Sequence, residues 1–471
     1  MKKIMLVIVF AVVAFTAMAQ TPFIGIWEGK VTAGIDMRVV FTIRQDEAQK
    51  YIATMEVPDQ GITGITSRDV SVNKDSIIIH VKQFSGTYTG RQVNDTTIHG
   101  EWKQGIGTRL HLKRVEKVTT TQRRQTPVPP FDYRTEDVLY TNKDKTIQYG
   151  ATITMPHGSG PFPTVILITG SGQQNRDEAI AGHKPFAVIA DYLTRNGMVV
   201  LRVDDRGMGQ TTGETQTATT LDFSQDINTS IEYLKARKEV DKKRLVLIGH
   251  SEGGMIAQLL ASQRKDIAAI VLLAAPGKSG AEVLIEQNRA ISETAGLPKE
   301  FVAAYTDLYT SIIEHGKTNA DKEILKNKIG EEVERWIKAT PANIVIATTG
   351  IIGDKKKDEF ISNFSETFQA PWFRYFLNFQ PAQYLEKVSC KVLALNGSKD
   401  IQVLSGPNLA AIEAVLKKSK APTYKVKEYE GLNHLFQHCK TCTVHEYGML
   451  EETISVKVLE DIAAWLKVEV K

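Results

Sequence analysis

The pentapeptide Gly249-His250-Ser251-Glu252-Gly253 reads G-x-S-x-G, and its flanks leave little freedom in what can surround it. Before it, Arg244-Leu245-Val246-Leu247-Ile248 is a short apolar run with branched residues, the pattern of a buried strand. After it, Glu252 to Leu260 turns into a helical pattern. A strand that passes at once into a helix strains the backbone at the corner and pushes the corner hydroxyl outward. The flanking glycines lack the side chains that would hold strand and helix apart. The pentapeptide alone arises often by chance; the strand before it and the helix after it make it informative.

A serine at such a corner is a weak nucleophile until a base and a group that orients the base are supplied. Downstream, Lys391-Val392-Leu393-Ala394-Leu395-Asn396-Gly397 reads as another buried strand, followed by Ser398-Lys399-Asp400. Tyr424 to Tyr429 alternates like a strand and runs through Glu430-Gly431-Leu432-Asn433 into His434. Both candidates sit just past strand C-termini, where open α/β sheets place their sites. Singly, a loop aspartate is usually a turn residue and a histidine seldom catalytic. Taken jointly, Ser251, Asp400 and His434 read as nucleophile, orienting acid and base.

The segments Ile168-Thr169-Gly170-Ser171-Gly172, Asp205-Arg206-Gly207-Met208-Gly209, the Ser251 corner, Leu395 to Asp400 and Gly431-Leu432-Asn433-His434 span most of the last two-thirds of the chain. In these, residues from about 135 onward resemble the α/β-hydrolase superfamily, close to its exported bacterial esterase and serine-aminopeptidase-like branch. The chain order Ser251, Asp400, His434 is the order of that superfamily. The resemblance implies a mostly parallel sheet with helices on both faces and a helical cap. It also implies an oxyanion hole made by the amide of Ser171, or a neighbour, and that of Glu252. Backbone donors suit this work because they are rigidly placed where carbonyl charge develops. Thr169-Gly170-Ser171 stands where lipases carry a His-Gly-Gly-Gly run. By resemblance, Asp204-Asp205-Arg206-Gly207 is a structural loop beside the site. Neither metal nor cofactor is required.

Lys2 and Lys3, the apolar run Ile4 to Phe15 and Ala17-Met18-Ala19 together read as a secretory signal peptide, residues 1–19. The expected location is therefore the periplasm or the medium, with no stable membrane insertion after cleavage. No cysteine follows the cleavage site, which argues against a lipid anchor. Without Lys2 and Lys3, 56 basic residues face 54 acidic ones, which gives no argument for nucleic acid or an anionic surface.

Residues 22–115 carry alternating β-rich runs and turn signals, and predict a small antiparallel β-domain, barrel or sandwich. Trp27 and Trp102 are expected to pack in or at the rim of its core rather than form a ligand platform. Residues 116–134 form a Pro-rich, semi-extended linker. Residues 135–471 alternate strand and helix. Expected helices are Phe186–Leu193, closed by Asn196-Gly197, Asp222–Lys238 and Val456–Leu466. An insertion at about 278–385 reads helical, as a cap roofing the pocket. Gln173, Trp372, Phe373, Tyr375 and Phe376 are the candidate pocket residues, with plain helix core as the alternative for the aromatics.

His434, His438, Cys439, Cys442 and His445 crowd five metal-type ligands into one stretch. Zinc is chemically feasible there, but His434 is claimed by the triad and no second C-x-x-C exists. A Cys439–Cys442 disulfide or an ordinary loop is preferred, with Cys390 buried as a small apolar residue. The expected reaction is hydrolysis of a small-molecule or glycan-linked ester. Two alternatives stay open: a peptidase on the same triad, with Glu252 or cap acids holding an amine, and a glycan-binding or surface-interaction protein acting through the β-domain. Oligomeric state is not legible.

Overall fold

The computed structural model describes residues 23–32, 36–104, 106–119 and 121–470. The signal-peptide segment lies outside the described residues. These residues form two compact units, one from the residues before Asp59 and from Ile62 to 119, the other from Asp59–Gly61 and Thr121 onward.

The first unit is all β, and every strand pairing in it is antiparallel. Gly25–Thr32 pairs with both Asp36–Gln45 and Leu112–Val115, so the beginning and end of the unit lie side by side. Alternation along the strands sends one face inward. Trp27 lies opposite Phe41 and Tyr88 opposite Trp102, and the Phe41 and Tyr88 rings meet at 5.3 Å. Trp27 is fully buried and donates from Nε1 to the Phe23 carbonyl at 2.7 Å, and Trp102 is 6% exposed. Both tryptophans therefore belong to the core of the unit.

The second unit is built on eight strands: β1 (Arg134–Thr141), β2 (Gln148–Met155), β3 (Phe162–Ile168), β4 (Val199–Val203), β5 (Val240–His250), β6 (Ile267–Leu273), β7 (Lys391–Gly397) and β8 (Tyr424–Tyr429). Their order is β1-β2-β4-β3-β5-β6-β7-β8. The pairings of β2 with β1 and β4 are antiparallel, and all others are parallel. The central strands carry apolar runs on both faces because helices cover both sides of the sheet. One side chain set, including Ile166, Leu247, Ile270 and Val392, packs under Thr220–Lys235 and Glu252–Gln263. The other, including Val165, Val246, Val271 and Leu393, packs under Pro185–Arg195 and Val456–Glu469. The helix expected to open at Asp222 opens two residues earlier. A capping box, in which Asp222 Oδ2 accepts from the Thr219 amide at 2.8 Å, starts the helix at Thr220, and it ends at Lys235 rather than Lys238.

Between β6 and β7 lie the helices Gly280–Thr294, Lys299–Thr318, Lys322–Ala339, Ala342–Thr349, Gly353–Thr367, Pro371–Asn378 and Pro381–Leu385. They enclose their own core around Leu308, Ile312, Ile329, Val333 and Phe368. From residue 121 the chain is tied to the second unit. The Arg123 guanidinium donates to the Leu450, Gly448 and Ala181 carbonyls, and Gln125 donates to the Ile454 carbonyl. Among the described residues, no helix is long and apolar enough to cross a membrane.

Candidate active site

The parallel strands end on one edge of the sheet, and the site is assembled from the loops that leave β3, β4, β5, β7 and β8. At the end of β5, Ser251 has φ +52° and ψ −118°, a left-handed conformation for a residue with a β-carbon. Such a backbone persists only where neighbours over-determine it. Its amide donates to the Leu273 carbonyl at 2.8 Å, and its carbonyl accepts from the Gly254 amide at 2.9 Å. A β-carbon at Gly249 would stand 2.1 Å from the Gly253 carbonyl oxygen, and one at Gly253 the same distance from that of Ile168. The glycines are thus a steric condition of the turn.

Asp400 follows β7 and His434 follows β8. His434 Nδ1 lies 2.7 Å from Asp400 Oδ2, with His434 5% and Asp400 4% exposed. The other carboxylate oxygen of Asp400 accepts the amides of Gln402 and Val403 at 2.8 and 2.9 Å. An ionised carboxylate can only accept, so Nδ1 carries the proton and Nε2 is left as the basic nitrogen. The His434 loop is held by Asn433, whose Oδ1 accepts the amides of Leu435 and Gln437. His250, the chain neighbour of Ser251, places its ring 4.7 Å from that of His434. Asp400 and His434 thus form a pair, and the ring of the residue before Ser251 packs beside it.

A pocket of about 410 Å³ opens beside the serine. Gly170, Ser171, Gln173, Glu252 and Trp372 line it, together with Ile168, Phe223 and Ile256. Gly170 adjoins the serine side chain: a β-carbon there would lie 3.3 Å from Ser251 Cβ. The Gly170 amide is already engaged, donating to Glu178 Oε1 at 2.7 Å. The amides of Ser171 and Glu252 have no hydrogen-bond partner among the described residues.

Of the candidate pocket aromatics, only Trp372 lines the cavity. Phe373 turns into the cap core beside Phe368. Phe376 is buried with Met255 and Leu259, and Tyr375 packs on the same cluster toward Tyr384. The helix Pro371–Asn378 is aromatic on several faces, and only the face of Trp372 meets the cavity.

Carboxyl groups of Glu252 and of the Asp204–Arg206 loop, expected beside the site, complete the wall. The Glu252 side chain is 3% exposed, and its Oε1 accepts from Thr220 Oγ1 at 2.6 Å and Trp372 Nε1 at 2.8 Å. Burial pushes this carboxyl above the ordinary range, against the pull of those two donors. Asp205 accepts from Thr169 Oγ1 and the Gln174 amide. Burial, with the charges of Glu178 and Glu252 nearby, pushes it up to about 7. Asp204 and Arg176 form a partly buried ion pair, as do Asp226 and Arg206.

The raised Asp205 carboxyl has a consequence for stability. The native state holds this proton more tightly than the unfolded chain, so stability falls as pH climbs from about 4 to about 7 and levels off above. In Asp205→Asn the amide can turn its oxygen to Gln174 and its NH₂ to Thr169. Thermal denaturation of the variant is expected to lack this decline, and near pH 8 its midpoint should exceed that of the wild type by several degrees.

Of the five crowded ligand-type residues, Cys439 and Cys442 are disulfide-bonded, His434 is tied to Asp400, and His438 Nδ1 lies 2.8 Å from Glu452. Among the described residues no group of three or more His, Cys, Asp or Glu is placed to hold a metal ion. Cys390 is buried, and its thiol is pushed up to about 12 by that burial.

Comparison with known proteins adds the following. A family model described as serine aminopeptidase, S33, matches residues 183–323, which include the Ser251 turn. Esterase EstD of Thermotoga maritima is 26% identical over 329 residues, covering 69% of this chain and 68% of that protein. Uncharacterized protein YfhR of Escherichia coli O157:H7 is 30% identical over 145 residues, 30% of this chain and 48% of that protein. Among solved structures, the esterase PF2001 of Pyrococcus furiosus aligns with a TM-score of 0.44 at 16% identity, covering 73% of this chain and 97% of that one.

Proposed function

We propose that this chain is a hydrolase of the α/β-hydrolase superfamily and that it cleaves carboxylic esters through Ser251, His434 and Asp400. What carries the proposal is the buried His434–Asp400 pair, set against the strained serine turn and presenting Nε2 as a base. His434 takes the Ser251 proton as the hydroxyl attacks the ester carbonyl. The amides of Ser171 and Glu252 receive the developing oxyanion. His434 then protonates the leaving alcohol and activates the water that frees the acid, while Asp400 stabilises the cationic ring. The mostly apolar wall of Ile168, Phe223 and Ile256 suits the acyl or aryl part of a small ester, free or glycan-linked.

A signal-like segment at residues 1–19 supports an exported enzyme, and the Cys439–Cys442 disulfide suits an oxidising compartment.

One observation favours a second reading, aminopeptidase action on the same triad. Glu252 Oε2 takes no hydrogen bond from the described residues, while the residue lines the pocket next to the serine, so a substrate amine would find an acceptor there. The two readings separate with p-nitrophenyl butyrate and an aminoacyl p-nitroanilide. Ester turnover is expected to dominate, and Glu252→Gln should leave kcat/KM for the neutral ester within about tenfold. An anilide preferred over the ester, and lost in Glu252→Gln by about 10²-fold or more, would transfer the assignment to the peptidase.

A further inference from the structure

Behind the catalytic groups lies a second carboxylate–imidazole pair. Glu178 Oε1 accepts the Gly170 amide at 2.7 Å and lies 3.0 Å from His250 Nδ1. His250 Nε2 lies 3.0 Å from the His434 carbonyl oxygen. Glu178 is 3% and His250 7% exposed. A turn delivers the carboxylate: Asn175 Oδ1 accepts the amides of Asp177 and Ala179, and Glu178 takes φ +50°. A left-handed non-glycine residue is tolerated where its surroundings fix it. Three segments far apart in sequence, the Gly170 loop, the serine turn and the His434 loop, are therefore joined through one carboxylate and one ring.

We propose that Glu178 and His250 are positioning residues that fix the oxyanion loop through Gly170 and the base through the His434 backbone. This rests on the assignment of Ser251 and His434 made above. Neither residue lines the pocket beside the serine. The proton inventory follows from geometry. A carbonyl oxygen only accepts, so His250 Nε2 carries a proton. Glu178 Oε1 already takes the Gly170 amide, which favours a carboxylate there and a second proton on His250 Nδ1. The ring beside His434 is then an imidazolium. Its charge is supported by Glu178 after β3, the His434 carbonyl after β8 and Asp400 after β7, against the cost of burial. Asp205 after β4 and Glu252 after β5 are the other carboxyls of this neighbourhood.

One effect is expected of the pair: it holds loops that a small displacement would spoil for catalysis.

The test is the rate at which Ser251 reacts with a fluorophosphonate probe, followed against pH in the full chain, in Glu178→Gln and in His250→Gln. This readout does not depend on whether the natural bond is an ester or a peptide. Both variants are expected to react on the order of 10²-fold more slowly. KM for p-nitrophenyl butyrate should change little. Variants with wild-type rate would overturn the pairing while leaving the hydrolase assignment intact. A wild-type chain that takes no probe at Ser251 would overturn both. Should the variants not fold, ¹⁵N-histidine spectra of the wild-type chain decide: one ring protonated on both nitrogens at pH 8 is required, and its absence refutes the pair.

Discussion

Ser251→Ala is expected to reduce hydrolysis of p-nitrophenyl butyrate by roughly 10⁴–10⁶-fold while leaving the fold intact. The size follows from what the substitution removes and what it spares. The hydroxyl is the atom that would form the acyl-enzyme, so its loss closes the covalent route. The amides of Ser171 and Glu252, the His434–Asp400 pair and the apolar pocket remain. They can still bind an ester and polarise its carbonyl toward water, so activity need not fall to the uncatalysed level. The backbone at 251 keeps a β-carbon and its two main-chain hydrogen bonds. Thermal denaturation beside the rate assay would separate lost chemistry from lost folding. A variant as active as the wild type would place the nucleophile elsewhere.

Asp400→Asn is expected to cost about 10⁴-fold in kcat with a small change in KM. The aspartate oxygen that accepts the Gln402 and Val403 amides can be kept by the asparagine oxygen. The NH₂ group is then turned toward His434 Nδ1, 2.7 Å away. A donor there selects the ring tautomer protonated on Nε2, and the basic nitrogen is lost from the side that must serve the serine. The effect is one of tautomer and charge rather than of packing. Residues that act as a unit are not additive, so Ser251→Ala/Asp400→Asn should be no slower than Ser251→Ala alone. A clear further drop in the double variant would mean that Asp400 acts outside the triad.

Much of this site was legible in the chain because its parts sit at the ends of apolar runs. β5 and β7 end in branched apolar runs and β8 alternates, and Ser251, Asp400 and His434 lie just past their ends. The cap helices Gly280–Thr294, Lys299–Thr318 and Lys322–Ala339 were legible for a similar reason, since each carries a regular apolar stripe.

Other parts had no local signal. β1 is an edge strand with mostly exposed side chains, so Arg134–Thr141 carries no apolar run to mark it as a strand. Gly353–Thr367 opens with a charged run, Asp354 to Glu359, and buries only Ile361 and Ser365 fully, which hides its helical period. Orientation was equally hidden. Trp372, Phe373, Tyr375 and Phe376 lie on one short helix, and only tertiary packing decides which faces the cavity. His250 stood inside the motif without a role, because its partner Glu178 is 72 residues away and lies in a polar loop. Pairings that close over such distances are set by where strand ends converge, and composition does not record that.

The measurement that bears most directly on the central claim is trapping of the acyl-enzyme. The chain would be mixed with p-nitrophenyl acetate, quenched in acid within the first turnovers and mapped by peptide mass spectrometry. A single acetyl adduct on the peptide carrying Ser251, forming with the burst of p-nitrophenol and absent in Ser251→Ala, is the predicted result. Turnover of the ester with no adduct on Ser251, or with the adduct on another residue, would contradict the account.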